Sequence, residues 1–69
     1  MSFTVTISIP AYGVKEAYHD DDARSFAAAV DAAMDEVAIY WMEHNNCDDV
    51  DEARERCNVE FTISVSPAR

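Results

Sequence analysis

Residues 3–9, FTVTISI, alternate without a break. Phe3, Val5, Ile7 and Ile9 fall on one side and Thr4, Thr6 and Ser8 on the other, the period-two pattern of a strand with one buried face. VEFTISV repeats it at residues 59–65, with Val59, Phe61, Ile63 and Val65 inward and Glu60, Thr62 and Ser64 outward. Pro10 and Pro67 bound these strands, because proline cannot donate to a ladder. PAYG reads as a turn, with Gly13 free to take positive φ. VKEAYH then alternates more weakly, Val14, Glu16 and Tyr18 against Lys15, Ala17 and His19. It predicts a short edge strand that completes a hairpin.

The period changes after Asp20–Asp22. An alanine-rich stretch predicts a helix from about Ala23 to about His44, opened by the aspartates as caps and closed by Asn45 and Asn46. At about 100° per residue, Phe26, Val30, Ala33, Val37, Tyr40 and Trp41 share one face, which should pack on the sheet. Within it, VAIYWM (Val37–Met42) has no polar residue. The sheet can cover Val37, Tyr40 and Trp41. Ile39 and Met42 project to the far side, near Asp35, and need either a second helix or another chain. DDVDEARERC predicts that second helix, about Asp48 to Cys57, capped by Asp48, with Val50, Ala53 and Cys57 as a narrow apolar stripe. The expected fold is α+β. A small two- to three-stranded, largely antiparallel sheet packs on one long helix, with a short second helix beside it, in a single compact domain over residues 1–69.

Composition narrows the function. A chain of 69 residues holds one domain, which buries only about 60% of its unfolded surface. Oligomerisation or a partner would therefore help it. No secretory leader and no run of about 20 apolar residues is present, so a cytoplasmic protein with no membrane partner is expected. The formal charge is −9, from 14 acids against 5 bases. That argues against direct nucleic-acid contact and fits a basic partner.

The chemistry-bearing motifs are thin. Cys47 and Cys57, if joined by helix, lie about 15 Å apart by helical rise, beyond the roughly 7 Å a disulfide spans, so two free thiols are expected. His44-x-x-Cys47 with Cys57 and His19 matches no zinc-finger spacing. HDDD and DDVDE lack the ligand register and central glycine of a calcium loop. No phosphate loop or nucleophile elbow occurs. The expectation is a non-catalytic protein without metal or cofactor.

What remains is a surface. Every acid except Glu60 lies between Glu16 and Glu55, a span whose only bases are Arg24 and Arg54. Carboxylates spaced along a helix can imitate a row of phosphates. The residues expected to meet a partner are Asp31, Asp35, Glu36, Glu43, Asp48, Asp49, Asp51 and Glu52. Ile39 and Met42 form an apolar patch for that partner or for a homodimer.

The stretch ISIPAYGVKEAYHDDDARSFAAAVDAAMDEVAIYWME resembles the core of HicB-type antitoxins: strand, Pro/Gly turn, strand, acidic step, and an alanine-rich helix ending in aromatics. A further strand follows there, as VEFTISV does here. The likeness covers about half the chain. It departs where Tyr12 separates the turn's proline and glycine, and it lacks the family's additional N-terminal strand and DNA-binding appendage. It implies neutralisation of a small basic RNA-cleaving toxin. In character alone, the chain also resembles the small acidic phage-encoded inhibitors of CRISPR and restriction systems, which bind nucleic-acid-contacting surfaces stoichiometrically. The expected function is therefore an acidic inhibitor that blocks a nucleic-acid-handling protein, encoded by a phage or mobile element and acting in the host cytoplasm. The alternatives are a HicB-like antitoxin and a structural homo-oligomer whose acidity serves only solubility.

Overall fold

The computed structural model describes residues 2–67. Three strands form one antiparallel sheet: β1 (Phe3–Ile9), β2 (Val14–Asp20) and β3 (Thr62–Pro67), in the order β2-β1-β3. Two helices, α1 (Phe26–Asn45) and α2 (Val50–Arg56), lie between β2 and β3 in the chain. The fold is the expected α+β arrangement, and the weakly alternating VKEAYH is a full edge strand.

β1 is central because its inward face is the most apolar. Phe3, Val5, Ile7 and Ile9 are buried on the helix side, while Thr4, Thr6 and Ser8 lie on the open face. The β1–β2 register runs from Phe3↔Asp20 to Ile9↔Val14, around a 3-10 turn at Pro10–Tyr12. Gly13 closes this turn at φ +68°, and its N–H donates to the Pro10 carbonyl at 3.1 Å. This left-handed conformation is the one that favours glycine.

α1 begins later than expected. Its cap is Ser25, in extended backbone, whose hydroxyl accepts from the Ala28 N–H at 3.1 Å. The aspartate triplet does not cap it. Asp20 is still in β2, and its carboxylate accepts from the N–H groups of Asp22 and Ala23, turning the chain out of the sheet. Asn46, at φ 52°, ends α1 in the left-handed conformation. In α2 the cap is Asp49, one residue beyond the expected Asp48; it accepts from the N–H groups of Asp51 and Glu52. Val59 and Phe61 precede the β3 ladder, yet still pack on the core.

Ala29, Ala33 and Val37 carry α1 onto the sheet, and Ala33 and Val37 join Val5, Ile7 and Ile9 in one cluster. Small side chains let the helix approach β1 closely. Of the residues assigned to this face, Phe26, Val30 and Trp41 do not join that cluster. Phe26 is 55% exposed, because burial of α1 begins one turn later, at Ala29. Trp41 is only half-buried. It lies about 100° round from Tyr40, lining a shallow groove with Asn45, Cys47 and Glu52 where α1 meets α2. Consecutive residues of VAIYWM thus enter different surroundings. Val37 meets the sheet, Ala38 is buried, Ile39 is 38% exposed, Tyr40 reaches β2, Trp41 edges the groove, and Met42 is half-buried. Ala38 shares the flank of Asp31 and Asp35, the side on which α2 packs, and α2 contributes the buried Ala53.

Candidate functional site

The eight acids expected on one surface separate into two groups. Arg54, on α2, reaches both Asp31 and Asp35, at 3.1 and 2.8 Å. These carboxylates are one helical turn apart on α1, and a single guanidinium bridges them. Both carboxylates thereby tie α2 to α1 and stay exposed. Asp49 is committed to the α2 cap, and Glu52 pairs with Arg56 at 2.9 Å. The side chains of Glu36, Glu43, Asp48 and Asp51 have no hydrogen-bond or ion-pair partner among the described residues.

Glu36 and Glu43 lie on the opposite flank of α1, above β2. They are seven residues apart, about 10 Å along the helix, with Ile39 between them and slightly to one side. Beneath this flank, β2 turns Glu16 and Tyr18 inward. The Tyr40 hydroxyl donates to the Glu16 carboxylate. This bond pushes the Tyr40 phenol up to about 12, aided by burial and by the charges of Glu16, Glu36 and Glu43. Burial also raises Tyr18, followed by the charges of Glu36, Asp20 and Glu16. Two phenols on neighbouring elements thus sense the same negative field. Lys15, the nearest base in sequence, points to the open face of the sheet.

Ile39 is exposed and Met42 half-buried; three residues apart on α1, they are neighbours on its outer side. Phe26, the other exposed large apolar residue among the described residues, lies thirteen positions before Ile39, about 20 Å along the helix. At the opposite end of α1, Tyr12 from the β1–β2 turn stacks on His44, with ring centroids 3.9 Å apart and an interplanar angle of 6°. His44 Nδ1 also lies 2.8 Å from the Tyr40 carbonyl.

Cys47 and Cys57 are free thiols, and Cys57 packs against the core. Among the described residues, no three His, Cys, Asp or Glu side chains gather as metal ligands, and no helix is long and apolar enough to cross a membrane. Sequence reasoning missed Glu16, Tyr18, Tyr40 and Arg54 as parts of the site. Glu16 carried a signal: a carboxylate on the inward side of an alternating strand needs a partner. Comparison with models of known families, with characterised proteins and with solved structures finds no match.

Proposed function

We propose that the protein is a non-catalytic inhibitor that occupies the nucleic-acid-binding surface of a basic protein, with the β2–α1 flank as its contact face. The observation that carries this reading is the pair of carboxylates without a partner among the described residues: Glu36 and Glu43 flank exposed Ile39 above Glu16, while Arg24 sits beside Asp20 at the N-terminal end of the flank. Such a face attracts a basic surface at long range and offers it one apolar anchor. Asp31 and Asp35 belong to the framework in this reading, because Arg54 already answers their charge. Asp48 and Asp51, at the start of α2, lie on the other flank of α1 and form a separate acidic area.

The test is capture from a host lysate with the wild type and with Glu36→Lys/Glu43→Lys, followed by a nucleic-acid-binding assay on each captured protein. A nuclease or CRISPR subunit that loses nucleic-acid binding on adding the wild type, but not the variant, supports the proposal. A second reading, a HicB-like antitoxin, draws on the element order β1–turn–β2–α1. Capture of a small co-encoded ribonuclease selects it. Recovery of the protein's own copies alone selects the structural homo-oligomer.

A further inference from the structure

The sheet's two edges are built differently. β2 carries Lys15, Glu16 and Asp20 along its length, the charges that keep an edge strand from pairing with other chains. β3, the other edge, is TISVSP and holds no charge. Its inward residues Ile63 and Val65, with Phe61 just before the ladder, pack on the core yet stay only half-buried. Its outward residues are Thr62, Ser64 and Ser66, all exposed. In a chain of net charge −9, this uncharged seam lets two copies approach without setting carboxylates against carboxylates.

We infer that β3 pairs antiparallel with β3 of a second copy, about a two-fold axis at Ser64, giving a continuous six-stranded sheet with all helices on one face. The segment is self-complementary in this register. Ile63 lies opposite Val65 of the partner subunit, Thr62 opposite the partner's Ser66, and Ser64 opposite the partner's Ser64. Apolar meets apolar beneath the helices and hydroxyl meets hydroxyl on the open face, as the period-two pleat demands. A shift of one residue would oppose Ile63 to a serine, and Pro67 stays at the end of the ladder, where its missing N–H matters least. A second copy fits better than an unrelated peptide because the pattern of β3 reads alike in both directions. A domain this small also gains from burying one edge. This inference is independent of the inhibitor proposal.

Sedimentation of the intact protein across concentration, at low and high salt, tests it. The expected result is a monomer–dimer equilibrium that salt strengthens, because salt screens repulsion between two acidic copies. Ser64→Lys, exposed and outside the core, should weaken dimerisation about tenfold or more by opposing two like charges. Ser64→Cys should give an oxidised dimer cross-linked between the two position-64 side chains by peptide mapping, since paired Cα atoms fall within disulfide range. Thr62→Cys should not self-cross-link. A protein that is monomeric at every concentration and salt overturns the inference. So does a dimer that survives Ser64→Lys or fails to cross-link at position 64.

Discussion

The Tyr40 hydroxyl donates a hydrogen bond to the Glu16 carboxylate, joining the middle of α1 to an edge strand. The bond holds the phenol's proton more tightly in the folded state than in the unfolded chain, with Tyr40 pushed up to about 12 from an ordinary 10.0. The folded state therefore binds the extra proton between those values. This contribution to stability is fully present below about pH 10 and is lost as pH rises toward 12. Tyr40→Phe should cost on the order of 1 kcal/mol at neutral pH. It should also flatten the alkaline decline relative to wild type. Urea unfolding of both proteins at pH 8 and pH 11 measures the difference.

Arg54→Ala should destabilise the protein by leaving Asp31 and Asp35 to repel one another at i,i+4. Adding Asp31→Asn and Asp35→Asn should restore much of the loss. Melting temperatures of the single, double and triple variants, at low and high salt, close the cycle. No rescue would show that Arg54 acts through its aliphatic stem.

Ile7→Ala should leave little folded protein, since emptying such a buried site costs roughly 2–5 kcal/mol. A domain of this size rarely has more than about 3–5 kcal/mol to lose. Trp41→Ala should remain folded, because Trp41 edges the groove beside α2 rather than filling the core. Circular dichroism of the two variants separates them, and an unfolded Trp41→Ala would place the indole in the core.

Both thiols should react without prior reduction. In the native state Cys47, in the loop before α2, should react before Cys57, which packs on the core cluster. Time-resolved alkylation with mass mapping gives the order, and an intramolecular disulfide would contradict the fold.

The strands were legible because alternation is local: Val5 or Ile63 needs only its neighbours to declare a face. Helix direction was legible for the same reason, and Ala33 and Val37 lie where the projection put them. Reach along the axis was not. A projection cannot say that packing starts at Ala29, so Phe26 was drawn onto a sheet it does not meet. The α1 cap shifted because Asp20 belongs to β2 through its pairing with Phe3, a long-range fact. The acidic surface divided for a similar reason. Nothing near Asp31 or Asp35 in sequence announces Arg54, and only the packing of α2 brings it there.

β1 lies between β2 and β3, and its second partner is the last of the three strands to be made: Phe3 meets Pro67. During synthesis, at roughly 5–20 residues per second, β1 and β2 emerge together, but a two-stranded hairpin is marginal alone. For seconds, Val5 and Ile7 wait with one ladder edge bare, until the ribosome has delivered both helices and β3. Until β3 arrives, the central strand is the part of the chain most open to mispairing, and the apolar face it carries is the one the finished sheet hides.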